Sequence, residues 1–297
     1  MNEKNYTIII PHKNLPNLLQ RCLDSIPRRD DIEIIIVDDN SDPEIVDFDT
    51  FPGKDRNGVK IIFDKCGRGA GAARNIGIRN ASGKWLLFAD CDDYYTEDID
   101  KFLNEYQNSS YDVVYFKCNV LSNGSKKRVI SRMNIFIDNY IQKKKGLDDV
   151  RYGAWEPWNK LIRREVVRDN NIQFDEISSA NDKMFSLLLG YYAENIQVSD
   201  LVIYNYVLRP GSIIHSGRNR FDNSFDTIIR QNELYHKINY KRKIPILLFL
   251  LRNHPSVNSK VLQRYCVYLK NNRANPFEGF YKNLLFLLRT RVFGSSH

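Results

Sequence analysis

The strongest constraint on the fold is the alternation of apolar runs with amphipathic stretches over the first 120 residues. The runs are almost continuously apolar and rich in Ile, Val, Phe and Tyr, which is typical of parallel strands covered on both faces. We predict strands at Tyr6–Pro11, Ile32–Asp38, Val59–Phe63, Lys84–Asp90 and Asp112–Cys118. Helical spacing of apolar residues predicts helices at Leu15–Ile26, Ala70–Ala81 and Glu97–Tyr106. This order predicts an α/β fold with an open, mostly parallel twisted sheet flanked by helices.

The pattern is less regular after residue 118. Residues 119–150 are polar and have no clear period, so we predict a loop-rich connection there. The later elements are predicted at Trp155–Val167, at a helix Asp182–Ala193, and at strands around Ile196–Val198 and Val202–Val207. Beyond Arg209 the pattern predicts helices with basic faces. We therefore expect one domain over residues 1–215 and a basic helical extension over residues 216–297.

The charge is distributed unevenly along the chain. The net charge is +8, but residues 1–203 carry 28 basic and 32 acidic side chains, whereas residues 204–297 carry 16 and 4. The acidic balance of the larger part argues against a nucleic-acid-binding protein. Five cysteines without a C-x-x-C pair argue against zinc and a disulfide framework, and indicate reduced thiols. We read neither a signal peptide nor a membrane span, and expect a cytoplasmic protein.

Acidic side chains cluster where two predicted strands end. In Ala89–Asp93, ADCDD, three carboxylates within four residues repel one another unless a cation lies among them. Mg²⁺ and Mn²⁺ prefer such oxygen ligands, completed by substrate phosphates and water. Ligands of doubly wound sheets bind beyond the carboxyl ends of the strands. Asp90 and Asp92 are therefore predicted to bind a metal or nucleotide. The alternative is helix capping, with Asp93 capping a helix that begins near Thr96.

The second acidic cluster lies in Ile34–Pro43, IIIVDDNSDP. A strand that ends in this way can direct a carboxylate at ribose hydroxyls or at a base N–H, and we predict that role for Asp39. The residues Asn40–Pro43 also favour an Asx-turn that leaves the strand. The two interpretations are compatible.

A glycine-rich loop in Cys66–Gly77, CGRGAGAARNIG, precedes a predicted helix. It fails as a dinucleotide fingerprint because Arg74 stands where the third glycine belongs, and the Gly77–Lys84 segment fails as a Walker A loop. What remains is a helix start that attracts anions, with Arg74 adding charge for a phosphate. The alternative is a structural ion pair formed by Arg74.

Taken together, six segments resemble the inverting family 2 glycosyltransferases of the GT-A fold, of the bacterial surface-polysaccharide type. They are TIIIPHKN (Thr7–Asn14), EIIIVDDNSD (Glu33–Asp42), GAGAARNIGIRNASGKWLLFADCDD (Gly69–Asp93), WNKLIRREVV (Trp158–Val167), NDKMFSLLLGYYA (Asn181–Ala193) and IYNYVLRPGSI (Ile203–Ile213). The resemblance covers about residues 5–215. Each segment alone is weak evidence, but six in the family's order are specific.

The resemblance implies a donor site. Asp39 would contact the uracil or ribose of a UDP-linked sugar, with Pro11 lining the same pocket through its backbone. Arg74 would lie near the base or the phosphates. Asp90 and Asp92 would form the family's Asp-x-Asp motif, with Asp92 as the ligand of a divalent metal, Mn²⁺ or Mg²⁺.

The resemblance also implies a general base. Asp182 matches the second residue of the family's Glu-Asp pair, although the first position here is Asn181. The alternative is an ordinary Asp in the first turn of a helix. Trp155 and Trp158 are candidates for stacking on acceptor sugars, or else for the core. His215 is a candidate contact to the metal or diphosphate, or else a solvent-exposed loop residue.

The implied reaction is a single displacement that inverts the anomeric centre. The sugar would pass to a hydroxyl of a glycan acceptor linked to polyprenyl diphosphate, in bacterial O-antigen, capsule or exopolysaccharide synthesis. The alternatives are a polyprenyl-phosphate sugar synthase and a catalytically silent nucleotide-sugar-binding subunit of a polysaccharide synthase. Nucleic acid is not an expected partner.

The basic C-terminal third carries a further expectation. Residues 277–293 place apolar side chains at helical spacing, with Lys and Arg among or beside them. With Lys237–Lys243 and the apolar run that follows, this pattern is typical of an interfacial element at an anionic membrane. The protein would then be peripheral at the inner face of the cell membrane. A helical bundle packed on the core, with a basic rim, is the alternative.

Overall fold

The computed structural model describes residues 4–122, 131–209 and 220–278. Contacts between residues divide the chain into two compact units, Met1–His215 and Ser216–His297. The described part of the first unit is α/β, and the described part of the second is helical.

The secondary-structure elements of the first unit are as follows. The strands are β1 (Tyr6–His12), β2 (Ile32–Asp39), β3 (Val59–Asp64), β4 (Trp85–Phe88), β5 (Tyr94–Tyr95), β6 (Val113–Ser122), β7 (Lys160–Arg163) and β8 (Ile196–Leu208). The helices are α1 (Pro16–Asp24), α2 (Ala70–Asn80), α3 (Ile99–Tyr106), α4 (Arg132–Ile141), α5 (Leu147–Gly153), α6 (Arg164–Asp169) and α7 (Lys183–Tyr192). A 3-10 turn at Pro157–Asn159 precedes β7.

The strands of the described residues form one sheet in the order β3-β2-β1-β4-β7-β6-β8-β5. The predicted α/β fold with an open sheet and flanking helices is confirmed. Strands β3, β2, β1 and β4 are parallel, as their apolar runs predict. The rest of the sheet is mixed, because β7 runs antiparallel to both β4 and β6, and β5 runs antiparallel to β8. Strand β7 has only four residues, which are too few to show a strand period in the sequence. Its position between β4 and β6 was therefore not predicted.

Both faces of the sheet are covered by a hydrophobic cluster. Ile8 and Ile10 of β1 lie in the cluster that contains α1 and α3 side chains, whereas Ile9 lies in the cluster with α4, α5 and α7 side chains. Successive strand side chains point to opposite faces, so a strand covered on both sides must be apolar throughout. This packing is the physical reason for the uninterrupted apolar runs.

The prediction of a loop-rich connection over residues 119–150 is wrong for most of that range. Strand β6 continues to Ser122, and helices α4 and α5 follow; residues 123–130 lie outside the described part. Ser131 caps α4 by accepting a hydrogen bond from the Met133 N–H at 3.2 Å. Met133 and Ile137, one turn apart, are both buried in the cluster under the sheet. Ile135 and Ile141 of the same helix are apolar but exposed, so apolar residues do not mark a single face and the helical period is hidden.

The two strands predicted around Ile196–Val198 and Val202–Val207 form one strand, β8. Its pairing with β6 changes register between Tyr115 and Cys118, which lets it pass the polar residues between the two apolar runs.

Glycines bring α2 close to its neighbours. A Cβ atom at Gly71 would lie 2.1 Å from the carbonyl oxygen of Asp175, and one at Gly77 would lie 2.3 Å from Cγ2 of Ile9. Only glycine allows these approaches. Gly71 therefore fixes the first turn of α2 against the segment that leads into α7.

The described part of the second unit contains α8 (Arg220–Lys237), α9 (Ile246–Arg252) and α10 (Ser259–Asn272), with a 3-10 turn at His254–Ser256. These helices share their own apolar cluster, which includes Phe225, Leu250 and Tyr265. The predicted amphipathic element at 277–293 lies outside the described residues from 279 onward. No helix within 4–122, 131–209 or 220–278 combines the length and apolar character needed to cross a bilayer.

Candidate active site

The end of β2 is held by a buried polar network around Asp38. The Asp38 carboxylate accepts hydrogen bonds from His12 Nδ1 at 2.8 Å and from the N–H and hydroxyl of Ser41. His12 Nε2 accepts from the Leu15 N–H at 3.1 Å, so Nδ1 carries the hydrogen. Burial tends to raise the pKa of Asp38, but the hydrogen bonds from His12 and Ser41 lower it below its ordinary value. Asp38 therefore holds the chain just after β2, and the Asx-turn predicted at Asn40–Pro43 is formed by Asp42, whose Oδ1 accepts from the Glu44 N–H at 2.9 Å.

Asp39 lies beside the glycine-rich loop. Both of its carboxylate oxygens accept from the Gly69 N–H, at 3.0 and 3.1 Å, and the Lys13 ammonium lies 3.5 Å away. Pro11 is buried in β1, paired with Val37 of β2 two residues before Asp39. Asp39 thus ties the end of β2 to the loop that opens α2.

Arg74 lies in α2 and is only 5 % exposed. Its Nη2 lies 2.5 Å from Asp90 Oδ1, and its Nη1 donates to Asn181 Oδ1 at 3.1 Å. The guanidinium lies 5.3 Å from the centre of the Phe174 ring. Arg74 forms the structural ion pair offered as an alternative, and its partner is one of the predicted site residues.

Asp92 is partly exposed, and its carboxylate forms an ion pair with an arginine side chain. Its Oδ2 lies 2.6 Å from Nε of Arg209, and its carbonyl oxygen accepts from Arg21. Arg209 lies in Ile203–Ile213, one of the segments that resemble the family, but it was not predicted as a site residue. The only sequence signal for a role of Arg209 was its position just after a predicted strand.

Asp93 does not cap a helix, because α3 begins only at Ile99. Its buried carboxylate accepts from the Val207 N–H at 2.7 Å and from the Tyr204 hydroxyl at 3.0 Å. The Tyr204 hydroxyl also accepts from the Asp90 N–H at 2.9 Å. Burial and the neighbouring Asp90 charge raise the pKa of Asp93 to about 8. These hydrogen bonds connect the acidic cluster to β8.

The negative charge of the acidic segment ADCDD is compensated by arginine side chains in this structure. The Arg74 guanidinium forms an ion pair with Asp90, and the Arg209 guanidinium forms one with Asp92. The third carboxylate, Asp93, has a raised pKa and favours its neutral form near neutral pH.

The Asp92 carboxylate still has the chemistry of a ligand for a divalent metal. Its side chain is 21 % exposed, and the Arg209 guanidinium provides the positive charge beside it. Among residues 4–122, 131–209 and 220–278 there is no group of three His, Cys, Asp or Glu side chains placed to hold a metal. Mg²⁺ and Mn²⁺ sites of the phosphate-binding type use one or two carboxylates plus phosphate oxygens.

Asp182 stands at the N-cap position of α7, yet its side chain makes no capping hydrogen bond. Burial raises the pKa of Asp182 above its ordinary value, and the charge of Arg74 partly opposes that rise. The same region contains the buried Lys160, whose ammonium donates to the Glu156 carbonyl and to Asn159 Oδ1. Burial lowers the pKa of Lys160 to about 7. A carboxyl group with a raised pKa is suited to act as a base on a hydroxyl.

The two tryptophans have different surroundings. Trp158 is buried in the core, stacked on Tyr204 and Tyr206 at 4.9 and 5.4 Å between ring centres, so the core alternative describes it. Trp155 is partly buried, with Arg132 and Lys183 at 4.0 and 4.2 Å from its ring centre. His215 lies outside the described residues.

The arrangement links two predicted groups of site residues through one side chain. Arg74 joins Asp90, two residues before Asp92, to Asn181, the neighbour of Asp182. The Asp39 carboxylate accepts a hydrogen bond from the N–H of Gly69, which lies one residue before α2 begins. The candidate site therefore combines the Asp90 and Asp92 carboxylates, the Arg74 guanidinium and the Asp182 carboxyl group with its raised pKa.

Residues 7–170 match the family described as Glycosyl transferase family 2, and this match covers more than half of the chain. The chain belongs to this family. It is similar to the uncharacterized glycosyltransferase EpsJ of Bacillus subtilis, with 28% identity over 70% of this chain and 62% of that protein. It is also similar to a poly(ribitol-phosphate) beta-glucosyltransferase of Bacillus spizizenii, with 28% identity over 84% of this chain and 40% of that protein.

Solved structures show the same fold. The S. aureus TarS fragment 1–349 in complex with UDP-GlcNAc superposes with a TM-score of 0.62, 23% identity, and coverage of 77% of this chain and 65% of that chain. The mannosyltransferase PcManGT from Pyrobaculum calidifontis, in complex with GDP-Man and Mn²⁺, superposes with a TM-score of 0.54 and 13% identity, covering 100% of this chain and 89% of that one. The aligned region spans less than two thirds of EpsJ, of the B. spizizenii enzyme and of the TarS fragment.

Proposed function

We propose that this chain is an inverting glycosyltransferase that moves a sugar from a UDP-linked donor to a hydroxyl group of a glycan acceptor. The observation that carries the proposal is the contact chain Asp90–Arg74–Asn181, which joins the acidic strand end to the neighbour of Asp182. Family membership and the curated relatives support the reaction class.

The donor would bind along the carboxyl ends of β1, β2 and β4. Asp39 and Pro11 would line the pocket for the uracil and ribose, and Arg74 would lie near the phosphates. Asp92, with Asp90 beside it, would hold a divalent metal, Mn²⁺ or Mg²⁺. That metal would supply positive charge to the diphosphate leaving group. The TarS and PcManGT complexes hold nucleotide sugars, and the latter also holds Mn²⁺, which supports this assignment.

Asp182 would remove the proton from the acceptor hydroxyl as that oxygen attacks the anomeric carbon. One base and one displacement invert the anomeric centre, so an α-linked donor gives a β-linked product. Trp155 and His215 stay candidates for contacts to the acceptor or the diphosphate. The domain assignment is part of the proposal: residues 1–215 would catalyse, and residues 216–297 would form a basic helical extension.

The test of the donor assignment is a thermal-shift screen of UDP, GDP, CMP and their common sugar conjugates, with and without Mn²⁺. A ligand at 100 times its Kd stabilises the folded state by about 2.7 kcal/mol, which raises the melting temperature measurably. We expect a metal-dependent rise with UDP or one UDP-sugar, and release of UDP from that donor on incubation. Binding without any release would instead support the silent-subunit alternative, and no shift with any nucleotide would contradict the proposal.

The acceptor is proposed to be a glycan linked to polyprenyl diphosphate in bacterial surface-polysaccharide synthesis, reached from the inner face of the cell membrane. The second unit supports this through large apolar side chains that stay exposed: Leu251, Leu262, Val267 and Phe277. With 15 basic and 4 acidic residues in 216–297, the unit should bind anionic vesicles at low salt and release them at high salt. Flotation with neutral vesicles is the control. Equal flotation with both vesicle types, or with neither, would contradict the membrane proposal.

A further inference from the structure

Two positively charged side chains from different helices lie over the ring of Trp155. The guanidinium carbon of Arg132, the first residue of α4, is 4.0 Å from the ring centre, and Nζ of Lys183, the first residue of α7, is 4.2 Å from it. The ring is held in place because its Nε1–H donates to the Tyr152 carbonyl at 3.1 Å. The Ser186 hydroxyl in α7 donates to the Trp155 carbonyl at 2.5 Å. Trp155 therefore brings a guanidinium and an ammonium group to the same place.

Carboxylates balance the charge of this pair only weakly in the part of the chain that the structure describes. Lys183 is partly buried, and among these residues its ammonium makes neither a hydrogen bond nor an ion pair. The Arg132 side chain is 46 % exposed; its Nη2 donates to the Gly153 carbonyl at 3.3 Å and lies 4.0 Å from Glu156 Oε1, too far for a hydrogen bond. Burial lowers the pKa of Lys183; the Asp182 charge opposes this shift, and the Arg132 charge adds to it. Both cations keep N–H donors for a further anion.

The position of the pair in the chain indicates which substrate would carry that anion. Lys183 directly follows Asp182, which is the base on the acceptor hydroxyl in the proposed function. The donor phosphates are proposed to lie at Asp92, whose ion pair in the described structure is with Arg209 and not with Arg132 or Lys183. An anion on the Trp155 pair would therefore belong to the acceptor.

An arginine together with a lysine fits a phosphate group. The guanidinium can donate two parallel hydrogen bonds to phosphate oxygens, and the ammonium acts as a compact point charge. A phosphate monoester carries roughly −1.5 to −2 charges at neutral pH, which matches two cations better than a single carboxylate does. The diphosphate that links a glycan to a lipid carrier likewise carries a charge on each phosphate. Attraction to the aromatic ring orients the two cations but leaves their positive charge in place.

We propose that Arg132 and Lys183, held over the Trp155 ring, bind a phosphate or diphosphate group of the acceptor beside Asp182. Trp155 then contributes to acceptor binding by orienting the two cations and not by stacking on a sugar. The contacts on the ring carry the anion site. The assignment of its ligand to the acceptor rests on the proposed function.

The test follows the indole N–H signal of Trp155 by ¹H–¹⁵N NMR while inorganic phosphate is added at constant ionic strength. The chain has three tryptophans, so the signal is identified by its loss in Trp155→Phe. UDP is present in excess, so that phosphate does not enter the nucleotide site. We expect a saturable change of the Trp155 signal, with smaller changes for the buried Trp85 and Trp158. A Trp155 signal that phosphate does not change overturns the proposal.

Three variants of the two cations test which side chains bind the phosphate. Lys183→Gln and Arg132→Gln should each raise the Kd of phosphate by about tenfold, because a hydrogen bond to a charged group is lost. Lys183→Arg keeps the charge and should stay within about threefold of the wild type. Wild-type positions of the Trp85 and Trp158 signals show that a variant is folded. Arg132 is exposed, so Arg132→Gln decides the question if Lys183→Gln does not fold.

Lys84→Gln is the matched control. It removes a lysine that also lies over a tryptophan ring, with Nζ 5.9 Å from the centre of the Trp85 ring, just before β4. The Kd of phosphate should not change in this variant. An equal loss of affinity in Lys84→Gln, or an unchanged Kd in both Lys183→Gln and Arg132→Gln, overturns the proposal.

Soluble esters distinguish the sources of the phosphate. Dimethylallyl diphosphate represents the diphosphate of a lipid carrier, and diglycerol phosphate represents a phosphodiester within the acceptor chain. We expect dimethylallyl diphosphate to change the Trp155 signal with a Kd no higher than that of inorganic phosphate; tighter binding of diglycerol phosphate would assign the same site to a phosphodiester. Binding of inorganic phosphate but of neither ester would mean an adventitious ion only and overturns the proposal, as does equally tight binding of glucuronate, a carboxylate.

Failure of this site and failure of the proposed function give different results. A chain that neither binds nor releases UDP contradicts the proposed function, whereas the phosphate titration of Trp155 without nucleotide still tests the anion site. If UDP is released from its sugar but phosphate leaves the Trp155 signal unchanged, sugar transfer stands and these two cations do not recognise the acceptor.

Discussion

The variant Asp182→Asn is expected to lower kcat/KM for sugar transfer by about 10³-fold, while the Kd of the UDP-linked donor changes by less than about threefold. General-base catalysis contributes about 10²–10⁴ in rate, and the amide cannot accept the hydroxyl proton. The substitution keeps the shape of the side chain, which makes no capping hydrogen bond that α7 would lose. The rate is measured by UDP release in the presence of acceptor, and donor affinity by calorimetry.

Asp169→Asn is the matched control, because Asp169 is exposed at the end of α6 and pairs with the exposed Arg168. This control should keep wild-type activity. Activity of Asp182→Asn above about a tenth of the wild type would rule out Asp182 as the base. Burial raises the pKa of Asp182, and only the ionised form accepts a proton. The wild-type kcat/KM should therefore fall as the pH is lowered through that raised pKa, at a higher pH than for an ordinary Asp side chain.

The variant Asp92→Asn is expected to abolish the part of UDP binding that depends on Mn²⁺ and to lower transfer by about 10²-fold or more. A neutral amide oxygen is a poor replacement for a carboxylate at a divalent metal, and without the metal the leaving diphosphate loses its positive partner. The measurement is the UDP thermal shift with and without Mn²⁺, followed by UDP release.

Asp98→Asn is the control for this substitution, since Asp98 is exposed at the start of α3 and makes no side-chain capping bond. It should leave the metal-dependent shift intact. If Asp92→Asn keeps that shift, the metal is held elsewhere and the assignment of Asp92 is wrong. If UDP no longer binds even without metal, Asp92 acts on the nucleotide by another route.

Much of the first unit could be predicted from the sequence because its signals are local. The strands β1, β2 and β4 are mostly apolar because hydrophobic clusters cover both faces of the sheet, and the glycines of α2 are explained by its close approach to Ile9 and Asp175. The helix α4 was missed because Ile135 and Ile141 are apolar but exposed, and α5 was missed because it has only seven residues. Strand β7 was missed because it is short.

The contacts of the candidate site could not be predicted, because they join residues that are distant in the chain. Arg74 meets Asn181 across 107 positions, and Arg209 meets Asp92 across 117. Residue type and motif position indicated that Arg74 and Asp92 bind charged groups, but not which groups of the chain do so. The choice of partner depends on how the ends of β4 and β8 and the starts of α2 and α7 meet in space.

The ion pair between Arg209 and Asp92 has a consequence for how the protein behaves without metal. A metal ion that bound to Asp92, as proposed, would exchange with the Arg209 guanidinium, so Asp92 would have a cationic partner both before and after the metal arrived. We therefore expect this region to fold without the metal, unlike small domains built around a structural zinc ion. Protein prepared in chelator should then regain metal-dependent UDP binding when Mn²⁺ is added back.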